Sequence, residues 1–328
     1  MLTVSVIIPV YRSEQILPEL YRQLSATMAA ITPVFEIIFV EDGGGDGSWS
    51  IVYDLSRADR RVRGIRMSRN FGQHNALLCG IREARYDIIL TMDDDLQHPV
   101  SEIAPMLAAL KPEYDVVYGL PRTERHGLLR NVASRLTKIA LASAMGAETA
   151  RSVSAFRVFR TRLREGFEAY RSPFVSIDVL LTWSTTRFTA IKVHHELRTK
   201  GVSGYTVGKL IRHAVNLMTG FSTLPLQIAS VVGFAFVVFG GSILVLVVIN
   251  YLIRGSAVPG FASLACMVAI FSGAQLFALG IFGEYLARMY FRSMDRPTYV
   301  IGETAMFPNP DGAAERSVPH TTGTENIV

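Results

Sequence analysis

The sequence predicts an α/β domain built on a doubly wound parallel sheet, followed by a hairpin of two membrane-spanning helices. Three observations carry that prediction. Over the first 120 residues, short apolar, β-branched runs alternate with segments of helical period. Polar clusters at 9–14, 41–48, 69–75 and 93–98 all fall at the ends of those runs, where ligands of such sheets gather. Charge is also unevenly spread: the 70 residues from Ala214 to Gly283 carry one charged side chain, Arg254, and the other 258 carry 60.

The elements follow in order. Thr3–Val10 is an apolar run ending at Pro9-Val10, and Ser13–Ala30 continues at helical period. Phe35–Val40 is a second strand, closed by Glu41-Asp42-Gly43-Gly44-Gly45-Asp46-Gly47, after which Ser48 or Ser50 caps a helix to about Ala58. Val62–Met67, Asp87–Met92 and Asp115–Gly119 are further strands, with a helix over Asn75–Arg85 and another begun near Pro99. Alternation of this kind implies parallel strands with helices on both faces. Two apolar segments, Leu226–Ile253 and Phe261–Leu286, each exceed the ~20 residues that cross a bilayer. The joining loop, Arg254–Pro259, is short, so both outer flanks face one side. Five basic residues in 192–213 and Arg288, Arg292 and Arg296 beyond the second segment outweigh Arg254. Both termini are therefore expected in the cytoplasm.

Composition removes several classes. With 49% apolar residues and 19% charged ones, most of the chain is neither disordered nor collagen-like. Two cysteines, one inside the charge-poor region, exclude a disulfide scaffold. The N-terminus lacks a basic n-region and cleavage site, so the polar part is expected to stay where it is made. The net charge is +5 with no basic run of nucleic-acid type, and nucleic acid is not an expected partner. The stretch from Pro308 is polar and expected to be disordered.

The most informative motif is Leu90-Thr91-Met92-Asp93-Asp94-Asp95-Leu96-Gln97. Three carboxylates at a strand end repel one another unless a cation sits there, and hard oxygen ligands suit Mg²⁺ or Mn²⁺ bridging phosphates. A turn and helix cap is the alternative, but a cap needs one Asp. The glycine-rich 41–47 segment reads as backbone that a ligand approaches closely, with Asp42 accepting from a base or ribose. It is not a dinucleotide fingerprint, because no Gly-x-Gly-x-x-Gly follows the first strand, and no Gly-Lys-Ser/Thr marks a phosphate loop. Arg122, Arg125 and Arg130, and later Arg198 with Lys200, Ser203 and Tyr205 near it, suggest phosphate recognition, for which arginine has the bidentate geometry; attraction to anionic lipid at the membrane surface is the alternative, stronger for Lys209 and Arg212 than for Arg198. His194-His195 has nothing to complete a metal site and reads as structural.

Val6–Tyr11, Phe39–Gly43, Ser68–Ala76 and Met92–Gln97 resemble the family 2 glycosyltransferases. Within them the chain is similar to the polyprenyl-phosphate branch: dolichyl-phosphate mannose synthases, bactoprenol glucosyltransferases, and the enzymes that load aminoarabinose onto undecaprenyl phosphate. The last are the nearest through Arg69–Ala76, Val193–His195, Arg198–Tyr205 and Gly283–Tyr290. The resemblance implies a GT-A (Rossmann-like) domain and metal-dependent, inverting transfer from a nucleotide-diphosphate sugar, favouring UDP, to polyprenyl phosphate. It assigns Pro9, Tyr11, Glu14, Asp42, Asn70, Asp93, Asp94 and Gln97 to the nucleotide sugar, and Asp93 and Asp95 to the metal. Arg122, Arg130 and Arg198, with Ser203 and Tyr205, fall to the acceptor phosphate. Asp93, Asp95 and the three arginines form the catalytic set.

Departures from the family pattern are Arg12 for Asn, Glu41 for Asp, Asp94 where Ala is common, Gly204 for Lys, and Ala155 where many members carry an Asp. The expected organisation is a transferase domain over 1–200, an amphipathic juxtamembrane segment over 201–223, two spans over 224–288 and a cytoplasmic tail over 289–328. The expected partners are a nucleotide-sugar donor, a polyprenyl-phosphate acceptor and the bilayer of the inner membrane, and a homo-oligomer is compatible with them. The rivals are a processive polysaccharide synthase, which normally shows Gln-x-x-Arg-Trp and more spans, and a non-catalytic membrane protein with a transferase-like domain.

Overall fold

A computed structural model describes residues 1–121, 145, 153–194, 219–254, 261–294 and 296–307. Its centre is one eight-stranded sheet. Strands β1 (Thr3–Val10), β2 (Val34–Glu41), β3 (Val62–Met67) and β4 (Ile88–Thr91) pair in parallel, in the order β3-β2-β1-β4. Helices α1 (Leu17–Ile31), α2 (Ser48–Ala58) and α3 (Gln73–Glu83) make the crossovers. The chain steps outward from β1 to β2 and β3, then returns to place β4 on the other side of β1. That reversal opens a crevice between the carboxyl ends of β1 and β4.

Alternation along β1 divides the core. Val4, Val6, Ile8 and Val10 pack with Leu17, Leu20 and Leu24 of α1 and with α4 (Ile103–Ala109) on one face. Ile7 faces the other side with Leu77, Leu78 and Ile81 of α3 and with Leu180 of α5 (Ile177–Ser184). Period-2 side chains on a sheet buried on both faces give this two-sided core.

Beyond β4 the sheet departs from the all-parallel expectation. β5 (Val116–Pro121) does not adjoin β4; β6 (Arg157–Arg160) lies between them, antiparallel to both, and β7 (Phe188–Val193) pairs in parallel with β5. Arg157 opens β6 fully buried, its guanidinium 2.7 Å from the Asp178 carboxylate, which also accepts from the Tyr118 hydroxyl at 3.1 Å. A charge at a strand start is tolerated in the interior because α5 brings its counter-ion.

Helices α6 (Leu224–Arg254) and α7 (Phe261–Ser293) are long and apolar enough to cross a membrane. They meet through Phe236 and Phe271, edge to face at 5.6 Å. The chain then returns to the α/β domain: β8 (Ile301–Met306) pairs antiparallel with β3 and closes that edge. Residues 301–306, expected within a tail, thus form the eighth strand. At the domain end of the hairpin, Phe221 stacks on Tyr170 at 6.4 Å, and the Arg288 guanidinium lies 4.3 Å from the Phe174 ring centre.

Candidate active site

The carboxyl ends of β1, β2 and β4 gather most of the expected donor-side residues. β4 ends at Thr91, and Asp93, Asp94 and Asp95 follow, each partly buried. Their roles divide. Asp93 accepts from the Gln73 side-chain amide at 2.7 Å, at the start of α3. Asp95 accepts from the Gln97 backbone N–H at 3.1 Å, closing a turn in which Leu96 takes a left-handed φ of 58°. Asp94 faces the β1–α1 loop, where one carboxylate oxygen accepts from the Tyr11 backbone N–H at 3.1 Å and from the Ser13 hydroxyl. Burial raises the Asp94 carboxyl above the usual range, and these two bonds act against it.

The β1–α1 loop is held from the β2 side as well. The Ser13 backbone N–H donates to the Ser48 hydroxyl at 2.9 Å, Arg12 Nε donates to the Gly44 carbonyl at 3.1 Å, and the Gly47 N–H donates to the Glu14 carboxylate at 2.7 Å. Arg12 sits at φ 56°, a conformation that costs an L side chain about 1–2 kcal/mol. Anchors on both sides of it sustain that turn. Tyr11 is left exposed, with the Arg12 guanidinium 5.3 Å from its ring centre. Ser48 does not cap α2, whose N-cap is Gly47; its hydroxyl instead donates to Asp46 at 2.9 Å.

Asp42 is nearly inaccessible, and its two oxygens accept from the backbone N–H groups of Phe71 at 2.7 Å and Gly72 at 2.8 Å. Burial raises its carboxyl above the usual range, opposed by the two amide bonds. Its geometry is that of a brace for the loop carrying the exposed Asn70. Gly43, at φ 64°, lets the two loops touch: a Cβ there would fall 2.5 Å from the Asn70 nitrogen. Glu41 is buried beside Arg66, with Oε2 to Nε at 3.5 Å, and accepts from the Gly44 N–H.

Tyr11, Glu14, Asp42, Asn70, Asp93, Asp94, Asp95 and Gln97 therefore lie on neighbouring loops, whereas Pro9 is buried within β1. Arg122, Arg125, Arg130, Arg198, Lys200, Ser203 and Tyr205 lie outside the described residues. Ala155 is beside β4, its carbonyl accepting from the Thr91 hydroxyl at 2.9 Å. Ser13, Ser48 and Gln73 fall in the expected polar clusters, but the sequence assigns none of them a role at the site. Their signal was weak, since each is a common polar residue whose partner lies on another loop. His194 donates its backbone N–H to Glu102 at 3.1 Å.

Asp93 and Asp95, two positions apart on one loop, offer hard oxygen donors suited to Mg²⁺ or Mn²⁺. Among the described residues no group of three or more His, Cys, Asp or Glu forms a ready cage. A cation bound by Asp93 and Asp95 would complete its shell with substrate phosphate and water, as Mg²⁺ does at phosphate sites.

Glycosyl transferase family 2 matches over residues 5–170, from β1 to just beyond β6. The undecaprenyl-phosphate 4-deoxy-4-formamido-L-arabinose transferase of Pseudomonas fluorescens (strain SBW25) is 32% identical over 301 residues, covering 91% of this chain and 88% of that protein. The transferase of the same name from Proteus mirabilis (strain HI4320) is 32% identical over 311 residues, covering 94% and 95%. Among solved structures, glucosyl-3-phosphoglycerate synthase from Mycobacterium tuberculosis, in complex with Mn²⁺, UDP and glucosyl-3-phosphoglycerate, is similar with a TM-score of 0.48 and 16% identity, over 67% of this chain and 80% of that one. The carboxylates at the β1–β4 crevice lie inside the matched segment, and the likeness to the two transferases extends over nine-tenths of the sequence: the chain belongs to glycosyl transferase family 2.

Proposed function

We propose that this glycosyltransferase moves a sugar from a nucleotide diphosphate, UDP in the first instance, to a polyprenyl phosphate at the cytoplasmic face of the inner membrane, with inversion at the anomeric carbon. The observation that carries the reading is the 91% coverage by transferases named for undecaprenyl phosphate, which takes in the apolar hairpin as well as the carboxylate site. We read 1–200 as the transferase domain, 201–223 as a juxtamembrane segment and 224–288 as the two spans, with β8 drawn from the segment beyond them.

Tyr11 offers an exposed ring to the base, and Asn70 and Gln97 offer amides to the donor. Asp42 shapes this surface from beneath, through the amides of Phe71 and Gly72. Asp93 and Asp95 would hold Mg²⁺ or Mn²⁺, whose chemistry when bound is to neutralise charge on the departing diphosphate. Arg122, Arg130 and Arg198, with Ser203 and Tyr205, would hold the acceptor phosphate in line. A phosphate oxygen attacks the anomeric carbon as the bond to the diphosphate oxygen breaks, and the nucleoside diphosphate leaves. A phosphomonoester has a second pKa of about 6 and is largely deprotonated at neutral pH. It needs no carboxylate base, which accommodates Ala155. Positioning and charge neutralisation then supply most of the acceleration.

The hairpin keeps the enzyme where its acceptor is dissolved. Basic residues on both flanks, together with the return of the chain to β3, support placing both hairpin ends on the cytoplasmic side. The test is a panel of radiolabelled nucleotide sugars given to the detergent-solubilised protein with undecaprenyl phosphate. Label from one of them is expected in the organic phase, and a panel that leaves the organic phase unlabelled would contradict the reading.

A further inference from the structure

We propose that Asp94 is a positioning residue: paired with Ser13, it latches the β1–α1 loop to the end of β4 and so presets the surface that receives the nucleotide. The inference rests on the donor reading above and deepens it, because it separates the middle carboxylate from the two on either side.

The geometry divides the three carboxylates. Asp93 is turned to Gln73 on α3, and Asp95 to the turn made by Gln97. Asp94 reaches across the crevice, where Oδ2 takes both the Tyr11 backbone N–H and the Ser13 hydroxyl. These partners lie 83 and 81 positions away in the chain, so the contact fixes two loops that have no regular structure of their own. A carboxylate oxygen that already accepts two protein donors is poorly placed to serve as a metal ligand too.

What the latch holds in place is chemically specific. Between its two anchor points stands Arg12, in its left-handed turn, and beside it the exposed ring of Tyr11. The opposite side of the loop is fastened through Ser13 to Ser48 at 2.9 Å and Arg12 to Gly44 at 3.1 Å. The aromatic face and the guanidinium thus point out of a loop clamped from β4 and from the β2–α2 connection together. A planar base and an anionic diphosphate are the ligand chemistry that such a pair recognises. Binding groups on a loop need this kind of support to hold their geometry.

The experiment uses the full chain in detergent, with UDP, GDP and dTDP as probes in the presence of Mn²⁺, and reads dissociation constants by titration calorimetry beside melting temperatures. Asp94→Ala is expected to weaken nucleotide binding about tenfold, the loss of one to two hydrogen bonds. Ser13→Ala should act in the same direction by about threefold, and the double variant should be no worse than Asp94→Ala alone, as for two halves of one contact. Asp94→Asn keeps an acceptor oxygen and should restore binding to within about twofold of the parent. The Mn²⁺ concentration for half-maximal nucleotide binding should be the same in all four.

An Asn variant as weak as the Ala variant, with a raised Mn²⁺ requirement, would make Asp94 a metal ligand and overturn the proposal. Folded Ala variants that bind nucleotide like the parent would overturn it as well, leaving the contact a packing feature. Should Asp94→Ala fail to fold, Ser13→Ala and Asp94→Asn decide the matter by the same criteria. A parent protein that binds none of the three nucleotides overturns the donor reading and the latch together, whereas parent binding with unaffected variants removes the latch alone.

Discussion

The indole N–H of Trp49 on α2 donates to the carboxylate of Glu303 on β8 at 3.0 Å, joining residues 254 positions apart. The pair marks where the chain, having passed through α6 and α7, comes back to the sheet it left. Arg82 on α3 repeats the tie, donating to the Thr298 hydroxyl at 3.3 Å with the Tyr299 ring centre 5.6 Å from its guanidinium. The far end of the helix pair is thus fastened to the edge of the sheet.

Ending the chain after Val300 removes β8 and bares the edge of β3. The truncated protein is expected to melt at a lower temperature and to scatter more light at equal concentration, because an unpaired edge strand templates association. Unchanged melting and scattering would show that β8 contributes nothing to the domain.

The Arg157–Asp178 pair predicts a large stability effect away from the site. Asp178→Ala leaves a fully buried guanidinium without its counter-ion and should destabilise by about 3–5 kcal/mol. The double variant Arg157→Met, Asp178→Leu should lose much less, since both charges leave together. Thermal unfolding of the two in one detergent checks the order.

Asp115 predicts a pH dependence. Its carboxyl is held well below the usual range, chiefly by Arg187 at 2.7 Å, with Thr185 and Arg162 adding to the effect. An acid whose folded pKa is depressed contributes stability above its unfolded pKa, and that contribution is lost as pH falls toward the folded value. Asp115→Asn should therefore lower the melting temperature at about pH 6, and the difference should shrink below about pH 4. A difference constant across that window would contradict the assignment.

Asp95→Ala tests the carboxylate pair. The folded variant should lose transfer by on the order of 100-fold or more, in line with removal of a principal charge-stabilising group. Chelation of divalent cations should silence the parent, and Mn²⁺ or Mg²⁺ should restore it. Near-normal turnover by Asp95→Ala would end the metal reading. Arg198→Ala, by contrast, should raise the KM for lipid phosphate about tenfold with little change for the donor; the reverse pattern would exchange the two sites.

The strands that build the β1–β4 crevice were legible because each is a continuous apolar run ended by a polar cluster. β1 occupies the expected Thr3–Val10 and β3 the expected Val62–Met67. β6 was hidden: it is four residues long with Arg at both ends, and only Asp178, 21 positions on, explains a buried Arg157. β8 was hidden for a different reason. As an edge strand it buries only Ala305 among its six residues, so its pattern is that of a polar tail. Within the site, the residue types signalled cation and nucleotide chemistry, yet not which carboxylate did what. Asp42 reads as a donor contact but braces Phe71 and Gly72, and Asp94 faces Ser13; both partners come from other loops and leave no local trace.

The measurement that bears most directly on transfer to lipid phosphate is the steady-state consumption of the active nucleotide sugar by the solubilised protein, with and without undecaprenyl phosphate. Turnover is expected to require the lipid phosphate and to yield one nucleoside diphosphate for each glycosyl lipid formed. Equal turnover without the lipid, or label accumulating in a polymer, would contradict that expectation.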